Sequence, residues 1–310
     1  MLDTFREASL YFIAVILEAS GFMLIGCLVG SLIEEFLPDN TIPKLIGNKP
    51  IAGILIAGLI GILFPICECA IVPVIRKLIK KGTPTPIAIT FMLAVPIVNP
   101  VVGFSTYIAF SNNLEIAGLR LASGYFLAVL IGMLTLFIFK DGIDSQIIQS
   151  HAHSHDHCHH CSTVVIKSPG SRVKRLIEHT WTEFTEIAGF LFIGAGIAAI
   201  FRSSIPLAFL GNLKNVPGLS TLFMMAAAFI LNLCSEADAF IAGSFTSLFS
   251  PAPLLAFMLV GPMLDIKLLI MYRTVFKPKL IIWLSVTIIV SVFLWVSILN
   301  FTGFIPELRR

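Results

Sequence analysis

Two short clusters gather the most reactive side chains of this sequence: Cys67, Glu68 and Cys69 in FPICECAIVP, and Cys234, Glu236 and Asp238 in CSEADAF. Soft thiolates select Cu(I), zinc or a thiophilic metalloid, whereas an all-oxygen site suits magnesium or calcium. The carboxylates lie in sequence otherwise as apolar as lipid. A charge in hydrocarbon costs about 2.5–3.5 kcal/mol on insertion scales and marks a pathway or a binding site. The plainer alternative for each acid is a buried hydrogen bond that holds the backbone together. Cys67 and Cys69 would face apart on a regular helix, but alternate side chains share a side in an extended segment. An unwound stretch would therefore present both sulfurs to one ligand, with Cys234 bringing a third. Cys27, alone in an apolar run, reads as a small filler.

The elements that carry these clusters are those of an integral membrane protein. Hydrophobic residues make up 57% of the 310 and charged residues only 13%, with a mean hydropathy of +0.94. Apolar runs approach the ~20 residues needed to cross hydrocarbon as a helix, and the alternating strands of a barrel are missing. The expected fold is an all-α bundle. The run from Leu10 to Ile33 exceeds a signal-peptide core and has no small-residue cleavage site, so it reads as a mature crossing. A net charge of +3, spread between crossings, argues against nucleic acid. Six scattered cysteines do not make a disulfide scaffold.

The chain also resembles itself. EASGFMLIG (from Glu18) parallels EIAGFLFIG (from Glu186), and LIGN (from Leu45) parallels FLGN (from Phe209). Cys67 parallels Cys234, and FMLAVPIVNP (from Phe91) parallels FMLVGPMLDI (from Phe257), setting Asn99 opposite Asp265. The offset stays between 164 and 168, as expected of a duplicated transporter. Each half offers four hydrophobic segments, at 10–36, 51–81, 84–111 and 118–139, then 184–205, 218–249, 251–276 and 280–301. The expected architecture is about eight transmembrane helices in two four-helix repeats, 1–139 and 184–310, joined by a linker at 140–183.

The second and third segments of each half are interrupted near their middles: by Pro65 and Pro73, by Pro96 and Pro100, by Ser235 to Asp238, and by Gly261 and Pro262. Proline removes a backbone donor and obstructs the preceding turn, so helix breaks are expected there, near the membrane midplane. Unpaired backbone at that depth survives only in protein or beside a wet cavity, which is where secondary transporters build their sites. The break acids are Glu68, Glu236, Asp238 and Asp265, while Glu18 and Glu186 stand near the repeat starts. Lysine and arginine counts in the first half favour a cytoplasmic N terminus. Those in the second half oppose it, which leaves open inverted repeats, or Lys267 and Arg273 facing the interior instead of a loop.

Between the halves lies HAHSHDHCHHCS, with His151, His153, His155, His157, Cys158, His159, His160 and Cys161 in polar surroundings. Neutral imidazole and thiolate bind zinc, nickel or copper, so this tract reads as a metal-binding linker, either a passive scavenger or a delivery segment. The remaining motifs require no cofactor. A GxxxxGK[ST] loop is missing, so ATP is not the evident energy source, and no Ser/His/Asp arrangement suggests a hydrolase.

CECAIVP followed by KKGTPTPIAITFMLAVPIVNP, and then CSEADAFIAGSF followed by SPAPLLAFMLVGPMLD, resemble the paired signatures of the ArsP-like predicted permeases, including the YcgR-type members. The resemblance covers nearly the whole chain outside the His-rich tract. It implies a multi-pass permease of the bacterial cytoplasmic membrane, not an enzyme, with some relatives exporting trivalent organoarsenicals through a cysteine-dependent site. It highlights Cys67, Cys69, Pro73, Pro96, Asn99 and Pro100, then Cys234, Glu236, Asp238, Pro262 and Asp265. Glu68 stands where many relatives have serine, which favours a cationic cargo. The expected function is secondary transport of a soft metal ion or metalloid, such as zinc or a trivalent arsenical. The expected partners are lipid, this small substrate, and a second copy or another membrane protein. The rival readings are a transmembrane thiol-disulfide relay through Cys67 or Cys69 and Cys234, and a metal-sensing scaffold.

Overall fold

The computed structural model describes residues 2–36, 50–62, 67–139, 169–204 and 218–306. Among these the regular elements are twelve α-helices. The first half contributes α1 (Leu2–Phe36), α2 (Pro50–Ile60), α3 (Glu68–Lys80), α4 (Thr85–Ala94), α5 (Pro100–Ala109) and α6 (Leu114–Ile138). The second contributes α7 (Pro169–Ser204), α8 (Leu219–Leu231), α9 (Ala237–Ser244), α10 (Pro251–Met263), α11 (Ile266–Tyr272) and α12 (Pro278–Phe301).

Each of the four interrupted segments is a pair of short helices. The first splits into α2 and α3, the second into α4 and α5, the third into α8 and α9, and the fourth into α10 and α11. Three stretches are long and apolar enough to cross a membrane among the described residues: Leu114–Ile138, Pro251–Tyr272 and Pro278–Phe301. The 25 residues of α6 extend about 37 Å at 1.5 Å per residue, enough for a ~30 Å hydrocarbon core.

Burial assigns these stretches different places. Along α12, Ile282, Val286, Val290, Leu294 and Ile298 recur every fourth residue and are all exposed, while Leu284, Ile288, Val292 and Val296 are buried. A helix apolar on both its packed and its open face is suited to lipid. By contrast, every residue of α10 from Ala252 to Met263 is buried. The centre of the bundle is therefore α10, packed against α6, α8, α9 and α12.

Packing in the two halves runs in parallel. α2 lies on α4 as α8 lies on α10, α3 meets α4 as α9 meets α10, and α4 lies on α6 as α10 lies on α12. Contacts between the halves are reciprocal as well, with α3 meeting α11 and α9 meeting α5. The long helices depart from this pattern: α1 and α7 pack together, yet α1 covers α3 whereas α7 covers α11.

Two glycines make that covering possible. A Cβ on Gly26 of α1 would collide with the backbone of Ala70 in the first turn of α3. A Cβ on Gly194 of α7 would stand 2.9 Å from Lys267 Cα in α11. These are matching glycines of EASGFMLIG and EIAGFLFIG, and each lets a long helix press on the start of a short one.

Gly26→Ala should therefore lower the melting temperature of the detergent-solubilised protein, with an overpacking cost of about 1–3 kcal/mol. Gly21→Ala, on the same helix with no heavy atom within 4 Å of the new Cβ, should leave it unchanged or raise it, since alanine favours a helix by up to about 1 kcal/mol over glycine.

Candidate functional site

The breaks are built by residues that leave helical geometry at defined points. After α2 the helix resumes at Glu68, capped by an extended Cys67 (φ −74°, ψ 167°). Glu68 and Cys69 form the first turn of α3, and all three side chains are buried. In the second half Asn232 takes the left-handed conformation (φ 53°, ψ 47°) that ends α8. Ser235 is buried, and Cys234 and Glu236 are half-buried. The other two breaks lead into helices capped by extended residues, Asn99 for α5 and Asp265 for α11.

Side chains repair the backbone that each break leaves open. Asn99 Oδ1 accepts from the Val102 N–H at 2.9 Å, and its Nδ2 donates to the Val95 carbonyl at 3.2 Å, so one amide holds both sides of the α4/α5 break. Asp265 Oδ1 accepts from the Leu268 N–H, and the Tyr272 hydroxyl donates to the Met263 carbonyl at 2.9 Å across the α10/α11 break. Pro262 has no N–H for the Met258 carbonyl one turn earlier. Arg120 Nη2 donates to that carbonyl instead, at 3.2 Å, and to the Ser235 carbonyl at 2.9 Å.

The same arginine begins the charge network. Its Nη2 lies 2.7 Å from Asp238 Oδ1 and its Nη1 2.7 Å from Thr106 Oγ1, in complete burial. Lys267 Nζ donates to Glu68 Oε1 at 3.2 Å, stands 3.6 Å from Asp265 Oδ2 and neighbours the Cys69 thiol. With its amide nitrogen oriented by this network, Asn232 donates to Asp265 Oδ2 at 2.6 Å and to Oδ1 at 3.0 Å. A cation from the first half thus neutralises the acid at the second half's break, and a cation from the second half neutralises the acid at the first's.

Not every polar atom is satisfied. Glu68 Oε2, Asp238 Oδ2 and Ser235 Oγ are buried without a hydrogen-bond partner. Glu68 is within electrostatic reach of Glu236, Asp238 and Asp265, and Glu236 neighbours Cys234. The four acids outnumber Arg120 and Lys267, so the fully ionised cluster attracts a further cation.

The cysteines are arranged differently from the sequence expectation. Cys67 alone is extended. Cys69 lies in the helical turn that follows, and the two thiols are neighbours. Cys234 stands beside Glu236. Among the described residues no three His, Cys, Asp or Glu side chains converge closely enough to hold one metal ion, so the three sulfurs are not gathered on one ligand in this conformation. Cys27 is buried in the apolar core.

The prolines divide in the same way. Pro96 lies in the turn between α4 and α5, and Pro100 is the first residue of α5, where its fixed φ and missing N–H cost nothing. Pro73 is inside α3 and Pro262 inside α10, so neither marks the break itself. The actual breaks fall before Glu68 and at Leu264–Asp265; at Pro262 the helix continues because Arg120 answers the orphaned Met258 carbonyl. The metal-ligating tract His151 to Cys161, and Pro65, lie outside the described residues.

Arg120 and Asn232 are the members of this network that motif reading passed over, whereas Lys267 enters it as a charge that could face the interior. Arg120 counts as a loop charge in the sequence, yet it stands in the second turn of α6 and is fully buried. Lys267 faces the interior and Arg273 is exposed, which settles the choice left open for that pair. The available signal was the isolation of Arg120 among apolar residues, in GLRLAS.

Comparison with known proteins agrees with the membrane architecture. The ArsP_1 model, described as a predicted permease, matches residues 4–301. The UPF0718 protein YcgR of Bacillus subtilis is 37% identical over 290 residues, covering 94% of this chain and 96% of that protein. A putative two-component membrane permease complex subunit of Streptococcus mutans is 36% identical over 274 residues, covering 87% of each. The UPF0718 protein YraQ of Escherichia coli is 26% identical over 127 residues, 41% of this chain and 35% of that one. No solved structure matches the chain.

Removing one member of a buried ion pair strands the other, at about 3–5 kcal/mol. Arg120→Met and Asp238→Leu should each destabilise the protein strongly in thermal or chemical denaturation. The double variant should lose less than the sum of the two, and the difference measures the pair.

Proposed function

Because the chain belongs to the ArsP_1 family of predicted permeases, we propose that it is a secondary transporter of a soft metal ion or metalloid, such as zinc or a trivalent arsenical. Cargo binds between the two halves, on thiols and carboxylates at the helix breaks. The observation that carries this reading is the Lys267–Glu68 contact, which joins residues 199 apart in sequence and sets the start of α3 against the start of α11. Cys69 and Asp265 neighbour the ammonium, Cys67 adjoins Cys69, and Glu236 lies within electrostatic reach of Glu68 with Cys234 beside it. In this reading the thiols supply soft ligands, and the carboxylates balance charge or carry coupling protons.

The finer architecture follows from the same reading. The twelve helices make eight crossings in two repeats, 1–139 and 184–310, with the short helices paired as discontinuous crossings. Residues 140–183 form a cytoplasmic linker that takes up zinc or another transition metal, and the N terminus is cytoplasmic in a bacterial cytoplasmic membrane. Parallel packing of the halves supports the repeats. A membrane partner is supported by the Streptococcus mutans relative, whose description makes it one subunit of a two-component complex.

Thiol relay is the second reading, favoured by the neighbouring Cys67 and Cys69. It requires a reversible crosslink from one of them to Cys234, detectable by mass spectrometry of thiols trapped in cells.

Purified protein in liposomes should move zinc or a trivalent organoarsenical, assayed by elemental analysis of the vesicle lumen. Cys67→Ser and Glu236→Gln should each slow that flux at least about tenfold, equivalent to ~1.4 kcal/mol. Undiminished flux in both would withdraw the thiols and carboxylates from the transport site.

A further inference from the structure

We propose that the Lys267 ammonium is a built-in competitor that occupies the cargo's place between the two halves, and that a soft divalent cation binds by displacing it. This inference rests on the transport reading above and specifies its binding step.

The two buried cations of the site are held in different ways. Arg120 is fixed by two backbone carbonyls, a threonine hydroxyl and a carboxylate, so four groups from separate elements determine its position. Lys267 meets Glu68 Oε1, Asp265 Oδ2 and the Cys69 thiol, with no backbone carbonyl among these partners. A guanidinium in a fixed fork is a structural clamp, whereas an ammonium on four rotatable carbons is a point charge that can swing away.

Two carboxylates and a thiol also form a ligand set for a soft divalent ion, and a carboxylate pair neutralises it. The ammonium satisfies that set incompletely, leaving Glu68 Oε2 buried and unpartnered. A metal bound by both oxygens of Glu68 would use the one that the lysine leaves idle.

The ammonium holds the two carboxylate oxygens at 3.2 and 3.6 Å, whereas a zinc-like ion holds oxygen at about 2.0–2.2 Å. A metal bound by both carboxylates would link α3 and α11 more closely than the ammonium does, one helix from each half. Release of the cargo is the reverse step, with Lys267 returning to discharge it.

Cadmium serves as the probe, because its thiolate bond absorbs in the ultraviolet. The titration uses the full-length chain with the eight linker ligands, from His151 to Cys161, changed to serine so that they do not compete. Lys267→Met in that chain should bind Cd²⁺ at least tenfold more tightly than the same chain with Lys267, while Cd²⁺ flux in liposomes falls. Glu68→Gln added to Lys267→Met should abolish the gain. Equal or weaker Cd²⁺ affinity in a Lys267→Met protein that elutes as one species and unfolds cooperatively would overturn the proposal. Should that variant not fold, Lys267→Arg gives the opposite sign: a guanidinium grips both carboxylates more firmly and should weaken Cd²⁺ binding, and unchanged affinity would overturn the proposal equally. Cys69→Ser in the same titration separates the two ideas, since undisturbed Cd²⁺ binding there would sink the thiol site itself, whatever Lys267 does.

Discussion

Every backbone N–H and C=O in hydrocarbon must find a partner within the protein, because no water is there to supply one. An unbroken helix meets this demand unaided. A broken helix does not, and several of the polar side chains buried in this protein serve that deficit. Asn99 and Asp265 each cap the helix that follows a break, Tyr272 reaches back to the last turn of α10, and Arg120 answers the Met258 carbonyl that Pro262 cannot. The polar centre of the molecule is therefore first a repair of its own backbone, and only then a place where a substrate could sit.

That order explains why the charges come in cross-half pairs. An acid at a helix start is favourable to the exposed N–H groups but expensive to bury alone. Each half leaves such an acid at a break, Glu68 in α3 and Asp238 in α9, and each is neutralised by a cation from the other half. Neither half can close its own electrostatics. The site is consequently a property of the interface, and a relative movement of the halves changes the environment of both acids together. Matching glycines, Gly26 and Gly194, bring the mutually packed α1 and α7 onto the starts of α3 and α11.

Much of this was legible in the sequence and some of it was not. The all-helical fold, the four interrupted segments and the pairing of Asn99 with Asp265 followed from apolar run length, proline and self-similarity, all of which are local signals. The exact breaks were not legible. Proline marks a weakness in a helix, but whether the helix gives way depends on whether a distant group can meet the orphaned carbonyl, as Arg120 does for Met258. Arg120 was missed for a related reason: a lone basic residue near the end of an apolar run reads as a loop charge until its acidic partner, 118 residues away, is known. For Lys267 the charge count left a loop and an interior place both open, and its partner 199 residues away decides for the interior. The sulfurs were legible as a composition, while their geometry depended on where α3 began. A helix starting one residue after Cys67 keeps Cys69 helical and prevents the shared extended face that alternation alone suggests.

The two halves are alike in scaffold and unlike in charge, and the difference has a physical basis. Asn99 and Asp265 do the same capping work, since either side chain can accept from the third N–H of the helix. Asparagine does so without a charge. An aspartate at both positions would bury a further anion at the start of α5. An asparagine at both would leave Lys267 with Glu68 as its only close carboxylate. Placing the charged cap only where Lys267 can reach it lets Asp265 serve both as the cap of α11 and as a second carboxylate for Lys267. The one charged cap thus adds a second carboxylate to the Lys267–Glu68 pair, while Arg120 and Asp238 close the other cross-half contact.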